Sequence, residues 1–333
     1  MRVVMTLLVR DEIDIVDDFL RYHLERGVDF VIATDHRSSD GTTKVLERYE
    51  REGRLHLIRE TSESFRQAEW VTRMARLAAT DFGAEWVVNS DVDEFWWPRD
   101  GSLREVLSSV PPRFGVVHGL WRHFVLRPEG GEPFHERMVV RRRPASEETS
   151  TYAPAFKSVH RADPEVIVGR GNHKALGARL APLRDWLPLE VLHFPVRARA
   201  QLERKYRREE ESLPADIGLT RHQAAAVAGF RERGVDAVVA EHLVDDAALQ
   251  AGLADGSLAI DVRVRDALRG GAATQATLAD DVTLATEAGE VQPSDSVVRL
   301  SWHVGRARRR VEELEAARAV RGVRRLRPSR PAA

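Results

Sequence analysis

The chain has 333 residues, 43% of them hydrophobic, which is enough for one large domain or two ordinary ones with a proper core. Charged residues make up 31%, but the signs nearly cancel at a net charge of −1, which removes any global electrostatic case for nucleic-acid binding. The absence of cysteine excludes a disulfide framework, thiolate metal sites and a cysteine nucleophile, and fits a reducing compartment.

Val3 to Val9 is a continuous apolar run, as expected of a strand buried on both faces of a parallel sheet, and Arg10-Asp11-Glu12 follows as its loop. The run is too short for a signal sequence or a membrane span, and no stretch of about 18 apolar residues occurs anywhere, so the expectation is a cytoplasmic protein, soluble or peripheral. The preference for arginine over lysine, with abundant alanine and valine, is that of a GC-rich bacterial genome. Ile13, Val16, Phe19, Leu20, His23 and Leu24 recur at helical spacing until Gly27. Phe30 to Thr34 reads as a second strand closed by Asp35-His36, and Ser38-Ser39-Asp40-Gly41-Thr42 as a turn and helix start. Leu55 to Ile58 is a third strand, Gln67 to Ala79 a helix and Trp86 to Val88 a fourth strand. This β-α-β-α-β-α-β order has crossovers long enough for parallel strands. Ligands of such sheets bind beyond the carboxyl ends of the strands, where Asp11, Asp35, Asp40, Asp91 and Asp93 should gather.

The stretch Asn89-Ser90-Asp91-Val92-Asp93-Glu94-Phe95 is the chemical centre of this reading. Three carboxylates crowd between an apolar strand and the aromatic run Phe95-Trp96-Trp97, so they sit at the rim of a core. Carboxylates there repel one another and are costly to desolvate unless cations or donors compensate. A hard divalent ion, Mg²⁺ or Mn²⁺, is the simplest compensation, although Asp-x-Asp also occurs in ordinary loops. A glycine-rich dinucleotide fingerprint is missing after the first strand, and no Gly-Lys-Ser/Thr phosphate loop exists. Phosphates would therefore be held by a metal and by basic side chains.

Five pieces together carry a resemblance: Leu8 to Glu12, Tyr22-His23 with Gly27-Val28, Asp35 to Thr42, Gln67 with Arg73, and Asp91 to Phe95. Their order and spacing resemble family 2 glycosyltransferases, and more narrowly a bacterial Asp-x-Asp-Glu-Phe branch related to family 92. The resemblance implies a GT-A fold, that is an α/β, Rossmann-like mixed sheet flanked by helices. It also implies a nucleotide-diphosphate sugar donor, a divalent cation and inversion at the anomeric carbon. Asp11 departs from the family, which usually has asparagine there. Carried over by position, Asp40 should meet the nucleobase, expected to be uracil, and Asp35 the base or ribose. Arg10, Asp11, Glu12, Gln67 and Arg73 would complete the nucleotide-sugar side. Asp91 should reach the ribose or the metal, and Asp93 should be the main metal ligand. Ser-Ser-Asp-Gly-Thr is equally a good turn and helix cap, so Asp40 also has a purely structural reading.

Further along, Gly115 to Trp121 and Met138 to Val140 read as strands around the expected acceptor side. Lys157-Ser158 resembles the family's Lys-Ser segment, which makes Lys157 a candidate for the diphosphate and leads into a strand at Val166 to Val168. His193 ends an apolar strand before the basic run Arg204, Lys205 and Arg208. In the family a histidine at this place closes the metal site, and its neutral imidazole suits Mn²⁺ better than Mg²⁺. His118, His123 and His135 rank behind it. Inversion needs a general base opposite the leaving group. Glu136 is chosen from its loop position, Asp163 and Glu190 compete, and Glu94 is read as a structural or acceptor-side partner in the signature.

Residues 1–210 are thus expected to form the GT-A domain, with a nucleotide-sugar half at about 1–100 and an acceptor half at about 101–210. Residues 211–333 are expected to form a mostly helical extension with a short strand or extended segment at Leu258 to Val264 and a disordered tail from Pro328. A helix from Pro293 carries the stripe Val297, Leu300, Val304, Ala307, Val311 and Leu314, with arginines on its other faces. It is a candidate for peripheral contact with the inner face of a membrane, or for packing on the core with a solvated face. The expected function is metal-dependent transfer of a sugar, with a UDP-sugar as expected donor, to a carbohydrate or other hydroxyl acceptor in glycan synthesis. A nucleotidyltransferase and a non-catalytic nucleotide-binding partner protein are the competing readings.

Overall fold

A computed structural model describes residues 1–143, 155–184, 186–212 and 221–270. In chain order the first half comprises β1 (Val3–Val9), α1 (Val16–Glu25), β2 (Phe30–His36), α2 (Thr42–Arg51), β3 (Leu55–Glu60), α3 (Gln67–Thr80), β4 (Trp86–Asp91), β5 (Glu94–Pro98) and α4 (Leu103–Ser109). The second half comprises β6 (Val116–His123), α5 (Phe134–Arg137), β7 (Val140–Arg142), β8 (Phe156–Arg161), β9 (Ile167–Val168), β10 (Ala175–Leu176), β11 (Leu189–His193), α6 (Arg199–Ser212), α7 (Arg221–His242), α8 (Asp246–Asp255), β12 (Leu258–Ile260) and α9 (Arg263–Leu268). The principal sheet has eight strands in the order β3-β2-β1-β4-β8-β6-β11-β5.

The apolar runs of β1, β2 and β4 are covered by helices on both faces and form the parallel part, as their unbroken hydrophobicity requires. β8 then runs antiparallel to both β4 and β6, β11 runs parallel to β6, and β5 returns antiparallel to β11. The result is a mixed sheet flanked by helices. Register decides what meets at the carboxyl edge: Val9 lies opposite Asp35, and Leu8 opposite Asp91. Across the far side His193 is level with both His123 and Glu94. Gly119 permits this packing, because a Cβ there would stand 2.6 Å from the ring of Trp96 and 2.8 Å from Val191.

One expectation needs correcting. The fourth strand does not stop at Val88 but continues to Asp91, a tight turn of Val92-Asp93 follows, and Glu94 already begins β5. The three acids therefore occupy a strand end, a turn and a strand start. α1 holds β5 in place: Tyr22 Oη donates to the Trp96 carbonyl at 3.1 Å, and the Trp96 N–H donates to His23 Nε2 at 3.1 Å. Phe95 packs among Phe19, Tyr22, Phe134 and Phe194, a fully buried ring whose burial contributes on the order of 2–3 kcal/mol.

Val166 belongs to no strand, and among the described residues Ile167–Val168 pairs only with β10. β12 pairs with β7, and Val264, Ala267 and Leu268 of α9 join the main core beside α1 and α5. The sequence from 246 to 268 is thus packed on the sheet unit. Among the described residues no helix is long and apolar enough to cross a membrane. The loop-like segment expected at 270–293, all but its first residue, and the basic helix from Pro293 lie outside the described residues.

Candidate active site at the carboxyl edge of the sheet

Two acidic groups lie along this edge. The first follows β1 and β2. Asp11, in the left-handed region at φ 55°, accepts from the Ser39 backbone N–H at 2.7 Å, while its own N–H donates to Ser38 Oγ. Asp35 is buried, accepting from the Ser38 N–H at 3.1 Å and from Thr43 Oγ1 at 2.5 Å. Asp40 accepts from the Ile13 N–H at 3.0 Å and from both the N–H and the hydroxyl of Thr42. Burial would raise the Asp40 pKa, but these donors outweigh it and hold the carboxyl below its usual range. Asp11 and Asp40 therefore knit together the loops after β1 and β2, and Asp35 ties the second loop to the start of α2. Arg10 is bound through its carbonyl to Arg208 of α6 at 2.8 Å, and Glu12 is paired with Arg197.

The second group follows β4. Lys157, on β8 and 1% exposed, places Nζ 2.6 Å from an Asp91 oxygen and 2.6 Å from a Glu94 oxygen. Its ammonium also stands 4.9 Å from the Trp121 ring centroid. Burial works against its charge, yet the two carboxylates outweigh it and raise its pKa. Glu94 is fully buried, accepts from the Trp121 indole N–H at 3.0 Å, and is pushed upward by burial despite Lys157. Asp91 also accepts from Asn172 at 3.2 Å and Gln67 at 3.4 Å. Gln67 is fixed in turn by the Gly171 N–H at 3.0 Å. Asn172 is buried in a left-handed conformation, and its Oδ1 has no hydrogen-bond partner among the described residues.

Asp93 stands apart. Among the described residues its ion-pair partner is His193, with Nε2 3.5 Å from Oδ2. Burial would raise its pKa, but His193, then Arg197 and Lys205, hold it well below the usual carboxylate range. His193 is stacked on Trp121 at 4.5 Å and 16°, which fixes the ring plane. Ligand atoms of Asp93, Glu94 and His193 lie within 4.8 Å of one another, and this is the potential metal cluster among the described residues. Two carboxylates and an imidazole suit a divalent ion such as Mn²⁺ or Mg²⁺. Asp91, expected among the ligands, is not in this cluster because its carboxylate turns to Lys157. Glu94, expected as a partner within the signature, is.

The other candidates have different surroundings. Arg73 is exposed and pairs with Glu60 at 3.4 Å. Glu136 of α5 is bound by Arg269, with Nε 2.8 Å from Oε1, and that bond holds its carboxyl below the usual range. An arginine-bound carboxylate is a weak base. Asp163 follows β8, whose antiparallel run leaves Arg161 level with Trp86 at the start of β4, so it lies at the opposite edge from Asp91. Glu190 alternates with His193 along β11, faces the other side of the sheet and is held ionised by Arg122 and Arg263. Arg204 and Lys205 of α6 supply positive charge near Asp40 and Asp93 respectively. His135 pairs with Asp18 at 3.2 Å, and His118 lies beside Phe156. Sequence reasoning missed Trp121 and Arg197 and ranked His123 behind His193. His123 Nδ1 is 3.0 Å from His193 Nδ1. Arg197 is fully buried, ties Glu12 and Asp14 of the first loop to the Phe194 carbonyl, and is signalled only by its place four residues after His193.

Residues 5–163 match the family model described as glycosyltransferase family 92. Similar solved structures include S. aureus TarS residues 1–349 with UDP-GlcNAc, at 11% identity and TM-score 0.36, the match covering 60% of this chain and 60% of that one. Glucosyl-3-phosphoglycerate synthase from Mycobacterium tuberculosis, with Mn²⁺, UDP and phosphoglyceric acid, gives 18% identity and TM-score 0.26 over 40% of this chain and 45% of that one. A 4-diphosphocytidyl-2C-methyl-D-erythritol synthase gives 12% identity and TM-score 0.28 over 48% and 74%. At these scores none of them transfers a ligand or a role to this chain. No curated protein sequence matches it.

Proposed function

We propose, from the match of residues 5–163 to glycosyltransferase family 92, that the chain moves a sugar from a nucleotide-diphosphate donor, a UDP-sugar, to a hydroxyl acceptor with inversion and with a divalent cation. Asp93 and His193 would hold the cation, with Glu94 supplying a third atom within reach. Bound there, a divalent ion stabilises the charge that develops on the leaving diphosphate. The observation that carries this reading is Asp93, a largely buried carboxylate kept ionised beside an imidazole at the carboxyl edge of the sheet. Lys157 offsets Asp91 and Glu94, so the cluster has one carboxylate without a lysine or arginine ion pair among the described residues. Arg204, Lys205 and Arg208 of α6 face the same edge and would meet diphosphate oxygens. The loops held by Asp11, Asp35 and Asp40 would wall the nucleobase and ribose, with Arg10, Glu12 and Gln67 beside them. Residues 1–210 would form the catalytic unit, at work in the cytoplasm or at the inner membrane face.

A thermal-shift panel of UDP-, GDP- and dTDP-sugars with and without Mn²⁺ tests the reading, because a ligand that binds only the folded chain raises its midpoint. The expected result is a rise with UDP-sugars that requires Mn²⁺. No shift with any nucleotide sugar, in either condition, would contradict it.

A further inference from the structure

We infer that His123 is a positioning residue, which fixes His193 in the tautomer whose Nε2 lone pair faces Asp93 and Glu94. This rests on the metal reading above and adds a residue to it. The basis is one juxtaposition: His123 Nδ1 and His193 Nδ1 face each other at 3.0 Å at the ends of adjacent parallel strands.

Two imidazole nitrogens at hydrogen-bond distance share a single proton between them. When the proton sits on His193 Nδ1 and His123 accepts it, the neutral His193 ring has its lone pair on Nε2. That is the form able to ligate a cation at the Asp93–Glu94 position. When His123 donates instead, a neutral His193 carries its proton on Nε2, points it at Asp93 and cannot ligate. A ligating histidine commonly donates its second ring N–H to a fixed acceptor, and that acceptor sets both ring orientation and tautomer.

The surroundings leave little freedom for another arrangement. The Phe124 N–H donates to the His193 carbonyl at 2.9 Å, which locks the two strand ends in register. Trp121 lies flat on the His193 ring at 16°, and its own ring is 5.0 Å from that of His123. His123 is buried, and the ring-to-ring distance between the two histidines is 5.1 Å. The sheet thus brings Glu94, His193 and His123 side by side on three neighbouring strands, with the metal-facing atoms on one side and the tautomer-setting atom on the other.

The test is Mn²⁺ binding by the full chain without nucleotide, followed by the electron paramagnetic resonance of free Mn²⁺. His123→Phe removes the acceptor, whereas His123→Asn keeps an amide oxygen close to the position of Nδ1. The expected result is about 10–100-fold weaker Mn²⁺ binding for His123→Phe, with His123→Asn close to the wild type. Thermal midpoints without metal establish that both variants are folded. Unchanged binding in folded His123→Phe, or an equal loss in both variants, overturns the assignment. Should His123→Phe not fold, ¹⁵N-histidine NMR of the Zn²⁺-loaded wild type decides it: a proton on His193 Nδ1 supports the assignment and one on Nε2 overturns it. Absence of Mn²⁺ binding by the wild type would remove the metal reading and this assignment together, whereas loss in Asp93→Asn with no change in folded His123→Phe would remove only the latter.

Discussion

The two acidic groups at the sheet edge look alike in sequence and differ in what compensates them. Asp11, Asp35 and Asp40 are bound by N–H and hydroxyl groups of the two loops after β1 and β2 and of the start of α2. Neutral donors close to each carboxylate are the ordinary device of turns and helix starts, and they make the group part of the scaffold. Asp91 and Glu94 are instead neutralised by a lysine 66 and 63 positions away, and Asp93 has a histidine 100 positions away. Charge held by distant partners depends on the whole fold, and a carboxylate whose partner is an imidazole is able to accept a metal. The first group should therefore respond to mutation mainly through stability, and Asp93 mainly through activity.

The largest effect is expected at the lysine. Lys157→Met would strand Asp91 and Glu94 without their counter-ion, and denaturant unfolding should show a loss of about 3–5 kcal/mol. Next comes Asp93→Asn, which should lower nucleotide-sugar turnover by about 10²–10³-fold, a size typical of removing one electrostatic contact to developing charge. Its metal-free thermal midpoint should stay near the wild type, and a large fall in that midpoint would erase the contrast between the two groups.

Acid probes a different set of residues. Burial lowers His23 to about 3 and His160 to about 4 from an ordinary 6.5, so both are neutral in the folded chain. Between pH 6.5 and 4 the unfolded chain binds these protons and the folded chain does not, so stability rises with pH across that window and is lost as pH falls through it. Stability measured by urea titration should decline from pH 6.5 downward. His160→Phe should flatten the slope; an unchanged slope would contradict the assignment. Asp40→Ala should cost about 1 kcal/mol, the usual value of a lost helix-start acceptor. A large loss of UDP affinity without that destabilisation would move Asp40 into the binding group. Least affected should be Glu136→Gln, with turnover close to the wild type, since Arg269 already holds that carboxylate. A loss of 10²-fold or more, the scale of general-base removal, would restore Glu136 as the base.

Much of this was legible from apolar runs. Val3 to Val9, Phe30 to Thr34 and Trp86 to Val88 announce a parallel sheet because strands buried on both faces cannot alternate. The edge carrying Asp11, Asp35, Asp40, Asp91 and Asp93 follows from strand direction alone. The extension of β4 to Asp91 was hidden, because polar Asn89 and Ser90 look like a loop until their buried partners are known. Lys157 could be chosen from the family resemblance as a phosphate contact, but its pairing with Asp91 and Glu94 depends on β8 lying against β4. His193 could be chosen over His135 by its place at a strand end. His123 shares that trait, and only the pairing of β6 with β11 brings it beside His193.

The central claim is that a divalent cation at Asp93 and His193 is required for donor turnover. Its most direct test is UDP-sugar hydrolysis by the full chain in EDTA and after Mn²⁺ is added back. The account predicts no turnover in EDTA and recovery with Mn²⁺ in the wild type but not in Asp93→Asn. Full turnover in EDTA would contradict it.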